Sequence, residues 1–237
     1  MSIRLTEKSW LEAEEFIKDY NIVIMAVGSA CKEHGPHLPL GNDFVLAERL
    51  IDLVAPRVKS LILPTLNYGY YPAFTEYPIS INISYNTFRD MIVDIANSLA
   101  GFGIKKFYIL NTGVSTTPPI KDAVKIVKDK IEVGYLDLIA FDKTLPEGLE
   151  EQEGGTHADE LETSMMMFLA PEIVKIQKAV KEFDPRPNRR GLTRDPEGSG
   201  NYSASGVYGN PTLATTDKGE IIVNKLVDHI VGQIKMM

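Results

Sequence analysis

Six consecutive apolar residues, Ile22-Val23-Ile24-Met25-Ala26-Val27, constrain the fold of this chain more than any other stretch. A short run with no polar face reads as a strand buried on both sides, the setting of parallel sheets. Ser60–Leu63, Phe107–Leu110 and Val133–Ala140 read as further strands. Between them the apolar period becomes that of a helix. Thr6 is placed to cap a helix over about 7–20, with Trp10, Ala13, Ile17 and Tyr20 on one face. Ala47, Leu50, Ile51 and Val54 mark a helix that Pro56 ends. Asn86 or Thr87 caps one carrying Phe88, Ile92 and Leu99, and Pro118-Pro119 opens one carrying Ile120, Ala123 and Val127. Further helices are expected at about 158–169 and, capped by Asp217, along Ile222, Leu226, Ile230 and Ile234. Alternation at Ile79, Ile81 and Ile83 predicts a short edge strand.

Strands alternating with helices predict an α/β fold, a three-layer α/β/α sandwich around a mainly parallel sheet. Right-handed crossovers then bring loops 28–43, 64–78, 111–117 and 141–157 to one edge, where such sheets bind ligands. No repeat or long linker divides the chain, so residues 1–237 read as a single domain.

Charge narrows the partners. With 25 basic and 32 acidic residues the net charge is −7, which argues against nucleic acid. The local basic cluster Arg186-Pro187-Asn188-Arg189-Arg190 reads as a solvated loop. Cys31 has no partner for an internal disulfide, which fits a reducing compartment. No apolar run has bilayer length, and the N-terminus lacks a signal peptide's apolar core. The expectation is a cytoplasmic protein without a membrane partner.

Candidate chemistry sits in two stretches. The first, Glu33-His34-Gly35-Pro36-His37-Leu38-Pro39-Leu40-Gly41-Asn42-Asp43, leaves the apolar strand. Imidazole plus carboxylate on one loop suits zinc, manganese or iron, and the absence of clustered cysteines argues against a structural zinc. The plain alternatives are a hydrogen-bonded loop histidine at His34 and a helix cap at Asp43, with His37 structural. The second stretch runs from Gly154 to Ser164, with His157 at a helix start and Asp159 and Glu160 in the first turn. Acid at a helix N-terminus also occurs for the dipole alone.

Taken together, these residues resemble the creatininase (creatinine amidohydrolase) family over nearly the whole chain. The resemblance is carried by Leu5-Thr6 with Trp10, by Val27-Gly28-Ser29 with the run His34 to Asp43, and by Tyr68-Gly69. Gly101-Phe102-Gly103, His157-Ala158-x-Glu160-x-Glu162-Thr163-Ser164 and Gly206-Val207-Tyr208-Gly209-Asn210-Pro211 complete it, with Ala214 and Lys218-Gly219. It implies an α/β/α sandwich, metal-dependent hydrolysis of amide-type C–N bonds in a small molecule, and a homo-oligomer, often a hexamer. It also implies two divalent ions bridged by an aspartate. On that pattern Asp43 is the bridge, His34 a ligand, and Glu160 completes the shell. His157 assists proton transfer or orients substrate.

The departures are specific. Lys32 stands where the family's Glu-x-His motif has its glutamate, and one extra residue separates Gly28 from His34. Glu33 becomes a candidate ligand if the backbone bulges. The histidine expected after the Phe107–Leu110 strand is Gly113. The implied site therefore holds about one zinc, manganese or iron per chain. The Lys32 ammonium occupies the vacated cation position beside Asp43, a catalytic role shared with His157. The resulting expectation is a metal-dependent amidohydrolase acting on a small cyclic amide or formamide. The alternative is an inactive relative that binds a small molecule or serves as an assembly partner.

Overall fold

The computed structural model describes residues 1–184 and 191–237, so the cluster Arg186–Arg190 lies outside the described residues. Five strands form one sheet: β1 (Ile3–Arg4), β2 (Ile22–Val27), β3 (Leu61–Ile62), β4 (Lys106–Asn111) and β5 (Glu132–Tyr135). Their order is β1-β3-β2-β4-β5 and every pairing is parallel. The helices are α1 (Trp10–Asp19), α2 (Asn42–Val54), α3 (Tyr85–Gly101), α4 (Thr117–Val127), α5 (Leu138–Asp142), α6 (Glu160–Leu169) and α7 (Thr216–Met236).

The central strand shows why three layers form. Ile22, Ile24 and Ala26 point into a core shared with α2, α6 and α7. Val23, Met25 and Val27 point the other way, into a core shared with α3 and α4. Period-2 alternation with both sets apolar requires cover on both faces. The result is an α/β sandwich. Among the described residues no helix is long and apolar enough to cross a membrane.

Local chemistry moved several boundaries. Ser9, not Thr6, caps α1, because Glu12 closes a capping box with it. Trp10 then falls on the first turn and is 73% exposed, so it leaves the apolar stripe, which Phe16, Ile17 and Tyr20 carry. The caps of α3, α6 and α7 are Ser84, Asp159 and Thr215. Residues 79–83 form no strand. Ile79 adopts φ +67°, and the amides of Ile81 and Ile83 bond to the carbonyls of Cys31 and Gly69 instead of to a ladder. The expected strand at 133–140 stops at Tyr135 because Asp137 caps α5. The short strand β1 and a small pair, β6 (Leu192–Thr193) with β7 (Asn201–Tyr202), carry too little sequence signal to be read in advance.

Candidate metal centre

Parallel order places the loops after β2, β3 and β4 along one edge. Gly28 ends β2 against the first turn of α2, where an added Cβ would lie 2.3 Å from the Asp43 carbonyl oxygen. Only a residue without a side chain permits that approach. The Thr112 hydroxyl, leaving β4, donates to the carbonyls of Val27 (2.9 Å) and Asp43 (3.2 Å). These contacts fix Asp43 at the sheet edge, where it is 1% exposed. It is not a cap, since Gly41 precedes the helix and the Asp43 carboxylate faces the site.

His34 has a determined tautomer. Its Nδ1 lies 2.9 Å from the Lys32 carbonyl, an oxygen that only accepts, so Nδ1 carries the proton. The lone pair on Nε2 then faces Asp43 Oδ1 at 2.7 Å and Glu162 Oε1 at 3.4 Å. Three acceptors turned toward one another need a cation between them. A proton satisfies this by making imidazolium, and the pKa of His34 accordingly rises. Burial opposes that shift, but the charges of Asp43 and Glu162 outweigh burial and the repulsion of Lys32. A divalent metal satisfies it equally, and the mixed N,O donor set suits zinc or manganese.

Glu162 is held for this task. Its Oε1 accepts from Asn42 Nδ2 (2.9 Å) and its Oε2 from the Ala158 amide (2.8 Å). His34, His157 and Glu162 each bring one ligand atom to within 4.8 Å of the others.

His157 is fixed in the opposite sense to His34. Its Nε2 lies 2.7 Å from Glu33 Oε1 and 3.0 Å from the Glu33 carbonyl, so Nε2 is the donor. Nδ1 is left as the basic atom on the Glu162 side, 3.9 Å from Oε2. Glu33 also accepts from the Gly35 amide at 2.8 Å. Burial works against its ionisation, but the His157 charge and hydrogen bond, with the Gly35 amide, pull its pKa below the ordinary carboxylate value. Gly206, at φ +90°, makes room, since an added Cβ would lie 1.9 Å from Glu33 Oε2.

Lys32 Nζ pairs with the second Asp43 oxygen, Oδ2, at 2.8 Å. The rings of Phe74 and Tyr71 lie 4.8 and 5.3 Å from it. The Phe74 ring also lies tilted against His157, with ring centroids 4.4 Å apart. Burial raises the Asp43 pKa, but Lys32 and His34 together hold it well below the usual carboxylate range. A cavity of about 480 Å³ opens over this group and is lined by Lys32, Asp43, Tyr71, Phe74, His157 and Glu162 among others.

Two sequence expectations change. Glu160 does not join the cluster. Its carboxylate is fully buried on the far side, where it accepts from the amides of Glu151 and Gln152 and pairs with Lys218. It ties the 147–155 connector to α7. Glu33 does not face the ligand atoms either, because it is committed to His157. Glu162, the residue that does face them, sits in the same motif two positions on. Asp159 caps α6 and Ala158 turns at φ +48°, so His157 lies outside the helix and helical spacing does not predict its partner.

His37 is structural. Its Nε2 bonds to Thr163 Oγ1 at 2.8 Å, joining the loop to α6, and burial holds its pKa at about 4. The unfolded chain takes up that proton first as pH falls. Stability is therefore expected to fall from about pH 6.5 and level off near pH 4, by on the order of 3 kcal/mol beyond other acid effects. Urea midpoints of wild type and His37→Gln over this range check it. Parallel curves would refute it.

Comparison with known proteins identifies the family. The family model described as creatinine amidohydrolase matches residues 6–234. The creatinine amidohydrolase of Pseudomonas putida is 23% identical over 257 residues, spanning 99% of this chain and 96% of its own. The 3-dehydro-scyllo-inosose hydrolase of Thermotoga maritima is 26% identical over 244 residues, 92% of this chain and 78% of the relative. A creatininase variant of zinc–zinc type superposes with a TM-score of 0.82 at 23% identity, covering 100% of this chain and 98% of that one. A structure described as creatininase Mn gives 0.78 at 22% identity with the same coverage. With the match running from the first helix to the last, the chain belongs to the creatininase family.

Proposed function

We propose that this chain, as one domain over 1–237, is a metal-dependent amidohydrolase. It would cleave a C–N bond of a small cyclic amide or formamide with one divalent ion. The observation that carries this reading is the His34 Nε2 lone pair facing the Asp43 and Glu162 carboxylates at 2.7 and 3.4 Å. Those three side chains would hold the ion. Relatives of zinc–zinc type and with manganese support a divalent cation. When bound, the ion polarises a carbonyl and acidifies water.

The chain's own residues do the rest. Nδ1 of His157 accepts a proton from the attacking water and returns it to the leaving nitrogen. Glu33, 2.7 Å from Nε2, orients the ring and stabilises the imidazolium that forms between these transfers. A cavity of about 480 Å³ matches a small substrate. What weighs against an inactive scaffold is the paired arrangement of His34 and His157, each with one nitrogen tied down and the other turned inward.

The test is elemental analysis of untagged protein beside His34→Ala, Glu162→Ala and Glu160→Gln. About one zinc, manganese or iron per chain is expected, lost in the first two variants and kept in the third. Wild type without metal after incubation with excess divalent ions would overturn the reading. A metal-loaded wild type justifies a screen of small amides.

A further inference from the structure

We propose that the ammonium of Lys32 is a resident cation that takes the place of a second divalent ion at Asp43. The inference rests on the one-ion reading above and names what balances the rest of that site. The two Asp43 oxygens have different partners: Oδ1 meets His34 Nε2 at 2.7 Å, and Oδ2 meets Lys32 Nζ at 2.8 Å. A relative of zinc–zinc type holds two metal ions. In this chain the side chain arriving at Oδ2 is a cation, not a further ligand.

The surroundings of Nζ are built for an ammonium. The Lys32 amide donates to the Leu40 carbonyl at 3.0 Å, and its carbonyl receives His34 Nδ1 at 2.9 Å. One residue therefore sets the tautomer of the metal-facing histidine and supplies the counter-charge of the shared carboxylate. The faces of Phe74 and Tyr71 attract a cation and offer it no lone-pair ligand. Across the gap, Gly113 has no side chain to contribute. A Cβ there would lie 2.7 Å from Thr116 Oγ1 and 3.1 Å from the Tyr71 ring, so the tyrosine fills the space that a ligand at this position would need. A divalent ion and an ammonium cannot share one carboxylate oxygen, because like charges at that separation repel strongly in a buried site. Lys32 also lines the cavity.

The test uses untagged wild type, Lys32→Glu and Lys32→Met, loaded with zinc or manganese, freed of excess ion and measured for metal per chain. Thermal unfolding checks each fold. Wild type is expected to bind about one ion and Lys32→Glu about two, because two adjacent carboxylates recreate a cation site. Lys32→Met is expected to hold about one ion roughly tenfold more tightly, because a repelling charge beside a ligand oxygen is gone. Two ions in wild type, no more ions in a folded Lys32→Glu than in wild type, or an unchanged affinity in Lys32→Met would each overturn the proposal. Should Lys32→Glu fail to fold, the affinity of Lys32→Met decides alone. A wild type without ions beside a Lys32→Glu variant with one would sustain the role of the lysine and refute only the hydrolytic reading.

Discussion

Asp43→Asn is expected to cost about 3–5 kcal/mol of stability, as removal of one member of a buried charge pair does. The asparagine keeps the shape and loses the charge. Lys32 Nζ would remain enclosed by the Phe74 and Tyr71 rings without its anion at 2.8 Å. His34 would lose the stronger of its two carboxylate contacts. Metal binding should go with it. The double variant with Lys32→Met should recover much of the loss, because no buried charge is left unpaired, and the cycle isolates the coupling. The sign with pH follows from the depressed Asp43 pKa. Its contribution is present above the ordinary aspartate value of 3.8 and is lost as pH falls through the lower folded value. The deficit of the variant should thus be full at neutral pH and shrink only in strong acid. Denaturant midpoints measure all of this. A single-variant cost under about 1 kcal/mol would show that the pair is not held as described.

Gly219→Ala should be comparably severe for a different reason. An added Cβ at Gly219 would lie 1.9 Å from the Ser164 carbonyl oxygen and 2.6 Å from its carbon. Both are backbone atoms inside α6, so no side chain can swing away. The helices α6 and α7 must separate, at about 3 kcal/mol or more, which in a chain of this size lowers Tm by roughly 10 °C. The same movement displaces Glu162, so metal affinity should fall as well. Gly232 supplies the control on the same helix. Nothing lies within 4 Å of a Cβ added there, and Gly232→Ala should be neutral or stabilising by up to about 1 kcal/mol. Equal melting of the two variants would refute the close approach.

The fold was legible because its signals are periodic. Ile22–Val27 is buried on both faces as a run without polar positions must be, and the helical stripes at Ala47–Val54 and Ile222–Ile234 land in one core. The edge loops followed from parallel order alone. Within the site, Lys32, His34, Asp43 and His157 meet as their spacing and resemblance indicated. The exchange of Glu160 for Glu162 was not legible. Which acid faces His34 Nε2 depends on where α6 starts, and that is set by the Asp159 cap and the turn at Ala158, φ +48°. The partner of Glu33 was equally hidden, since His157 is 124 positions away. Edge strands of two residues have no period to read.

The Lys32–Asp43 pair has a consequence for the life of the protein before it is loaded. A cation tethered to the chain is present from synthesis onward and can be neither starved nor chelated. Asp43 is balanced from the start, so the sheet edge and the first turn of α2 can close without waiting for metal supply. On the one-ion reading proposed above, scarcity would empty the metal position and leave its frame standing, ready to be filled when the ion returns.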